Sequence, residues 1–313
     1  MQNILSTNST VQSKPFWQLL MLLLLFILGG LILFSLLAPL IVLVFYNIGL
    51  TELSSIVANP RSYEDSRQAL LVFQLVSSVG LFIITPIVFI LWILKEDLKS
   101  YFQLPKDWIR PGLMVVIILF CFMVVNSLVI EWNQKISFPE SLTWFEEWAQ
   151  AKESQLEELT DYLTTFDGIG DFLLGVVVIA LVPAIGEELL FRGLLQNLFH
   201  KGSKNPHLAI WISAIIFGVF HLQFYGVLPR IFLGALFGYI YYWSGHLSLA
   251  MLGHFMNNAL TLTMIFLSQK AIIDFDPKDM DSSPSLFVIF IFFIAGSVLL
   301  YLFRILFLEH QDG

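Results

Sequence analysis

The chain has 313 residues, of which 57% are hydrophobic and 13% charged, and its mean hydropathy is +0.80. This composition is far from that of soluble domains and indicates an integral membrane protein. The net charge of −8 argues against the concentrated basic surface that nucleic-acid binding requires. We therefore expect the lipid bilayer, and no nucleic acid, among the partners of the protein.

Apolar runs divide the chain into membrane-spanning segments, since about 20 apolar residues suffice for one crossing. The sequence predicts an all-α polytopic membrane helix bundle with about eight transmembrane helices. The predicted spans are 16–48, 69–94, 111–130, 171–199, 207–224, 227–243, 247–268 and 285–308. The first run is too long for a signal-peptide core and is not followed by a small-residue cleavage site, so we expect it to be retained.

Two stretches between the spans are not expected to cross the membrane. Residues 132–167 are rich in Glu and Trp, and their apolar side chains recur at roughly helical spacing, which is typical of an amphipathic surface helix, with an acidic surface loop as the alternative. Residues 269–284 form an acidic loop. The predicted organisation is an N-terminal tail at 1–15, transmembrane helices at 16–131, the surface segment at 132–167, a core at 168–268, and the acidic loop with the last span at 269–313.

Lysine and arginine in the short loops set the expected orientation. They cluster around residues 95–110, and Lys201 and Lys204 are predicted on the same side. By the positive-inside rule this distribution favours both termini in the cytoplasm, although several basic residues lie on the other side. We expect a multi-pass protein of the bacterial cytoplasmic membrane.

The string GEELLFRG at residues 186–193 places two carboxylates and a guanidinium inside an apolar run. Each ionised side chain at bilayer depth costs at least about 2.5–3.5 kcal/mol, so these groups must pair or face water. Glu188 and Arg192 are four residues apart in the favourable order and are predicted to pair. Glu187 is rotated by about 100° from Glu188. It is predicted to lack a full partner, which suits an acid that takes a proton from water.

Two later spans carry further polar side chains that hydrocarbon would reject. Phe217 and His221 lie one turn apart in FGVFH, and His254 and Asn258 lie one turn apart in HFMNN. Each pair shares a helix face. Together with Glu187, these side chains predict a polar cavity shared by neighbouring helices. Phe217 is expected to pack beside His221, and Asn258 has the alternative role of joining helices.

These three motifs, EExxxR, FxxxH and HxxxN, occur in this order on membrane helices and resemble those of the CPBP family. That family comprises CAAX prenyl endopeptidases and bacteriocin-processing or immunity proteins, also called Abi proteins. The resemblance covers about residues 170–268, roughly a third of the chain. It implies that residues 168–268 form a CAAX-protease-like catalytic core. The implied activity is intramembrane hydrolysis of a peptide bond in a membrane-associated protein or peptide, which is lipidated in the CAAX case.

The resemblance also implies roles for the site residues. Glu187 would activate a water molecule with His221, while His254 and Asn258 would stabilise the oxyanion or hold the same water. The implied supporting residues are Glu188, Arg192 and Phe217. Family members have been described both as metalloproteases and as glutamate-dependent proteases, so two alternatives stay open. A divalent metal such as Zn²⁺ would be held by Glu187, His221 and His254 with an open position, or Glu187 would act as the base with no cofactor.

Other function classes compete with the protease. A non-catalytic membrane protein of the same fold, acting in bacteriocin immunity or as an assembly partner, is the main alternative. A proton- or ion-coupled transporter is another, because intramembrane acids and histidines also form relays. Residues 168–171 spell GIGD, a string of membrane aspartyl proteases, but no second Asp lies in another predicted span to complete a dyad.

Three further residues in span 227–243 have structural interpretations. Gly234 and Gly238 form a small-xxx-small pair that predicts a helix contact. Arg230, near the start of the span, is expected to extend toward the membrane interface. A role in binding a substrate carboxylate is the alternative for this residue.

Overall fold

The computed structural model describes residues 14–58, 66–274 and 283–308. All regular structure in these ranges is helical, which confirms the predicted all-α bundle. The helices are α1 Phe16–Tyr46, α2 Leu50–Ala58, α3 Ser66–Leu94, α4 Lys99–Phe102, α5 Ile109–Gln134, α6 Thr143–Leu163, α7 Ile169–Ser203, α8 Pro206–Phe220, α9 Val227–Ser244, α10 Leu247–Gln269 and α11 Leu286–Leu308. Of the predicted tail 1–15, residues 1–13 lie outside the described residues, as do residues 275–282 of the predicted acidic loop.

Seven helices in the described ranges are long and apolar enough to cross a membrane, namely α1, α3, α5, α7, α9 with the turn before it, α10 and α11. The protein is therefore an integral multi-pass membrane protein. Helices α1 and α11 expose many large apolar side chains, as expected for helices that face lipid.

The predicted span 207–224 corresponds to α8, and its predicted C-terminal end was wrong. Helix α8 has 15 residues, which reach about 22 Å at 1.5 Å per residue, less than the thickness of a hydrocarbon core. It ends at Phe220 because Leu222 adopts the left-handed conformation with φ of 54°. His221 is thus the residue that caps α8, and it does not lie inside a span.

Helix α7 occupies the centre of the bundle, where every residue from 188 to 198 is buried. Its regular α-helical segment Val182–Glu188 lies between two wider π-helical segments, Val176–Leu181 and Leu189–Gln196. Gly186 permits close packing, since a Cβ atom there would lie 2.6 Å from the Cβ of Phe82 in α3. Glu188 therefore lies in the most enclosed part of α7, and Glu187 lies at the edge of that part.

The contact predicted for Gly234 and Gly238 is present between α9 and its neighbours. A Cβ atom at position 238 would lie 2.8 Å from Ile210 of α8 and 2.8 Å from Gln196 of α7. A Cβ atom at position 234 would lie 3.1 Å from the guanidinium of Arg192. The glycines therefore let α9 approach α7 and α8 closely.

Helix α6 forms within the predicted surface segment 132–167. Its side chains Trp144 and Trp148 are exposed, whereas Ala149 and Leu163 are buried against the bundle. On its inner side, Glu153 contacts the turn that joins α8 to α9. The carboxylate accepts hydrogen bonds from Nε2 of Gln223 at 3.1 Å and from the Tyr225 backbone N–H at 3.2 Å.

Candidate active site

A buried ion pair forms the base of the candidate site. Nη1 of Arg192 lies 2.6 Å from Oε1 of Glu188, and both residues are fully buried. Nη2 of Arg192 donates to the Gly234 carbonyl at 2.8 Å, and the guanidinium lies 4.6 Å from the centre of the Phe217 ring. Buried ion pairs need such extra contacts, because their desolvation cost can exceed the Coulomb attraction. The pair expected from the four-residue spacing thus also joins α7 to α9.

Glu188 also contacts a second residue, which its position in the sequence did not predict. Its Oε1 atom lies 2.8 Å from Nδ1 of His254 in α10, and the imidazole stacks on Phe237 at 5.4 Å. Because an ionised carboxylate only accepts hydrogen bonds, Nδ1 carries the proton in this arrangement. The other ring nitrogen, Nε2, lies 3.9 Å from Oε2 of Glu187. Glu188 therefore orients His254 toward Glu187.

Glu187 lies on another face of α7 from Glu188, and its side chain is 15% exposed. Its carboxylate makes no hydrogen bond to another residue in the described ranges, and its ion-pair contact there is the 3.9 Å approach to His254. That separation is too long for a direct hydrogen bond but suits a bridging water. Among the described residues, the Glu187 carboxylate therefore has no partner that both pairs with its charge and forms a hydrogen bond with it.

His221 approaches the same region from the end of α8. Its Nδ1 atom lies 2.9 Å from the carbonyl oxygen of Phe217, so Nδ1 donates and Nε2 is left for other contacts. The Phe217 ring is 5.0 Å from the His221 ring and 5.9 Å from the His254 ring, measured between centres. Phe217 packs beside His221 as expected, and it also lies between the two imidazoles.

The fourth predicted site residue, Asn258, makes contacts that join helices. Its Nδ2 donates to the carbonyl of Ile179 in α7 at 3.3 Å, and its Oδ1 accepts from Nδ2 of Asn257 at 3.1 Å. These contacts connect α10 to the first π-helical segment of α7. They match the helix-joining alternative, and a catalytic role for Asn258 stays a prediction.

The arrangement of the site does not fit a metal ion held by three side chains. In residues 14–58, 66–274 and 283–308, no group of three or more His, Cys, Asp or Glu side chains is arranged to hold one. One nitrogen of His254 is already bonded to Glu188, and one of His221 to a backbone carbonyl. Glu187, His221 and His254 are therefore not positioned as a ready-made set of three ligands.

Arg230 in α9 lies beside the turn that precedes the helix, and its extension toward the membrane interface stays a prediction. Its guanidinium is turned into the protein, where Nη2 donates to Oε1 of Gln223 at 2.6 Å and Nη1 is buried. The adjacent residue Ile231 packs against Gly218 near the end of α8, where a Cβ atom would lie 2.5 Å from it.

Asp171 of the GIGD string forms an ion pair with Arg67 at 3.4 Å, at the start of α7. Arg67 also donates from Nε to the carbonyl of Leu163 at the end of α6, at 3.2 Å. These contacts give Asp171 a structural role in joining α3, α6 and α7.

Comparison with known proteins finds one matching family and one curated relative. Residues 169–260 match the family described as type II CAAX prenyl endopeptidase Rce1-like. The uncharacterized protein YpbD of Bacillus subtilis strain 168 is 28% identical over 89 residues. That alignment spans 27% of this chain and 42% of YpbD. No solved structure matches the chain.

The matched region contains all of the site residues described above and the four helices α7 to α10, except for the last residues of α10. The motifs, their order and the helical fold agree with this match. The chain is a helical, multi-pass membrane protein whose residues 169–260 match the Rce1-like family of type II CAAX prenyl endopeptidases.

Proposed function

We propose that the protein is an intramembrane endopeptidase in which Glu187 activates water to hydrolyse a peptide bond. One observation carries this proposal. Glu187 has no hydrogen bond to another described residue, and it lies 3.9 Å from an imidazole whose other nitrogen is held by Glu188. A carboxylate and an oriented imidazole at this separation can hold one water between them.

The proposed reaction uses the chain's own side chains. Glu187 takes a proton from the water as its oxygen attacks the carbonyl carbon of the substrate. The C–N bond then breaks, and Glu187 returns the proton to the leaving amine. His254 orients the water through Nε2, and the His221 ring at the end of α8 packs against Phe217, as the His254 ring does. Glu188 acts through His254 by holding its ring, as a positioning residue.

We propose the glutamate-dependent mechanism over the metal-dependent one. It is supported by the positions of Glu187, His221 and His254, which do not form a three-ligand group. The Zn²⁺ alternative stays a prediction, which metal analysis of the purified protein tests directly.

The central experiment is a cleavage assay with protein purified in detergent. The substrate is a fluorogenic peptide with an apolar C-terminal end and a cysteine at the CAAX position, used with and without an S-prenyl group. We expect Glu187→Gln to lower the rate by at least about 100-fold. Glu147→Gln, in the exposed part of α6, is the matched control and should retain the rate. Full activity of Glu187→Gln would refute the role of Glu187 as the base.

Two further measurements test the metal-dependent protease and the non-catalytic membrane protein. Loss of activity with a chelator, together with bound metal in the purified protein, would support the metal-dependent version. Absence of cleavage by the wild type, with equal bacteriocin protection of cells by wild type and Glu187→Gln, would support the non-catalytic immunity protein.

We also propose a membrane-associated, lipidated substrate and cytoplasmic termini in a bacterial cytoplasmic membrane. The match to CAAX prenyl endopeptidases supports the substrate class, and the basic loop 95–108 supports the orientation. Labelling of intact cells with a membrane-impermeant maleimide tests the orientation. Ser141→Cys should react from outside and Ser100→Cys should not, in a Cys121→Ser background. The reverse pattern would overturn the proposed orientation.

A further inference from the structure

We propose that Arg230 binds the C-terminal carboxylate of the peptide substrate. The inference rests on the proposed endopeptidase function and adds a recognition residue to it. Arg230 lies outside the EExxxR, FxxxH and HxxxN motifs and belongs to the beginning of α9.

The guanidinium is held in place by a chain of polar contacts. Nη2 donates to Oε1 of Gln223 at 2.6 Å, and Nε2 of Gln223 donates to Glu153 at 3.1 Å. Glu153 also accepts from the backbone N–H of Tyr225 at 3.2 Å. Burial raises the pKa of Glu153, and the charge of Arg230 acts in the opposite direction. Helix α6 therefore supports the position of Arg230 through Gln223.

The turn beneath the guanidinium is also fixed from α5. Asn133 donates to the Phe224 carbonyl at 3.1 Å and accepts from the Leu228 N–H at 3.0 Å. Gly226 leaves the space that the guanidinium fills, since a Cβ atom there would lie 1.9 Å from Nη1 of Arg230. The site is thus formed before any ligand binds, which lowers the entropic cost of binding.

Within the described ranges, this cation has no direct counter-ion. Arg230 makes no ion pair there within 4.0 Å, and its Nη1 atom is buried with no hydrogen-bond partner. Arg192 differs, because it has Glu188 at 2.6 Å and the Gly234 carbonyl at 2.8 Å. Glu153 acts on this cation only from beyond Gln223, so the charge of Arg230 is incompletely neutralised. A carboxylate supplied by a ligand would match its planar geometry and its charge.

The position of Arg230 also limits where the ligand's carboxylate lies. The start of α9 packs against the end of α8, since a Cβ atom at Gly218 would lie 2.5 Å from Ile231, so Arg230 lies near the helix end that carries His221. Each extended residue spans about 3.3–3.6 Å, so a carboxylate three residues from the cleaved bond is about 10 Å from it. Binding at Arg230 would therefore select peptides that are cleaved close to their C-terminus.

The test compares two fluorogenic peptides that differ in ending with a free carboxylate or with an amide. We expect the wild type to cleave the free acid with a kcat/KM about 10- to 100-fold higher than that for the amide, mostly through a lower KM. This is the effect of losing one charge-assisted hydrogen bond, because the amide lacks the charged acceptor for Arg230. Arg230→Gln should reduce this acid-to-amide ratio to near one, and Arg230→Lys should retain part of it. Arg110→Gln, an exposed arginine at the opposite end of α5 from Asn133, is the matched control and should keep the wild-type ratio.

The ratio is measured on a single preparation, so it does not depend on the fraction of correctly folded protein. The assignment is overturned if the wild type cleaves both peptides equally, or if Arg230→Gln keeps the preference or loses both activities in proportion. Binding of the labelled peptides, followed by fluorescence anisotropy, separates this inference from the proposed function. Acid-selective binding that depends on Arg230, without cleavage, would support the carboxylate site and refute hydrolysis. Failure to bind either peptide would overturn the site.

Discussion

Nδ1 of His254 lies 2.8 Å from Oε1 of Glu188, the same oxygen that Arg192 contacts at 2.6 Å. One carboxylate oxygen therefore orients an imidazole and neutralises a buried guanidinium. Through the bond from Arg192 to the Gly234 carbonyl, this oxygen also joins α7, α9 and α10. The geometry of the candidate site and the stability of the bundle thus depend on a single side chain.

We expect Glu188→Gln to lower the free energy of unfolding by about 3–5 kcal/mol, because it leaves the charge of Arg192 buried without a counter-ion. Thermal or denaturant unfolding in detergent measures this loss. The exposed Glu147→Gln variant, which removes an acid of the same size, should be close to wild type.

The double variant Glu188→Gln/Arg192→Met tests the energetic coupling between these two residues. Removing both charges should cost less than the sum of the two single variants, because neither charge is left uncompensated. Strictly additive losses would contradict the coupling of Glu188 to Arg192.

Glu187→Gln should have the opposite effect on stability from Glu188→Gln. Glu187 is largely buried and makes no hydrogen bond to a described residue, so removing its charge removes a desolvation cost. We expect unfolding free energies equal to wild type or higher by about 1 kcal/mol, while cleavage is lost. A stability loss similar to that of Glu188→Gln would show that Glu187 has a structural partner.

The features that local sequence determines were predicted, and those that depend on distant contacts were not. Apolar runs located the helices, and the four-residue spacing placed Glu188 beside Arg192. The bond from Glu188 to His254 joins residues 66 positions apart, which no periodicity reveals. The direction of Arg230 likewise depends on Gln223 and on the space at Gly226. The end of α8 was missed because Leu222 adopts a left-handed conformation that its side chain does not favour.

Gly238→Ala should destabilise the bundle by about 1–3 kcal/mol, because an added methyl group forces α9 away from its neighbours. Its Cβ atom would lie 2.8 Å from both Gln196 and Ile210. Gly29→Ala in α1 is the matched control, since a Cβ atom there meets nothing within 4 Å. This control should gain about 0.5–1 kcal/mol from helix propensity. Equal effects of the two substitutions on the unfolding midpoint would contradict the close packing of α9.

Glu96, in the turn after α3, predicts a pH dependence of stability. Its side chain is buried, Oε2 accepts a hydrogen bond from the Tyr101 hydroxyl at 2.5 Å, and Oε1 has no partner in the described ranges. Burial raises the pKa of Glu96 from 4.5 to about 7, although the bond from Tyr101 acts in the opposite direction. The folded protein therefore binds a proton at this site more tightly than the unfolded chain.

The sign of the effect follows from that difference in proton binding. Between pH 4.5 and about 7, the folded state holds more protons at Glu96 than the unfolded state, so its stability should fall as the pH rises. The loss should reach about 1–3 kcal/mol above this range. Unfolding midpoints measured from about pH 5 to about pH 8 test the prediction. Glu96→Gln is neutral throughout, so it should be more stable than the wild type at the alkaline end and equal to it at the acidic end. A constant difference between the two proteins across the range would show that Glu96 does not titrate there.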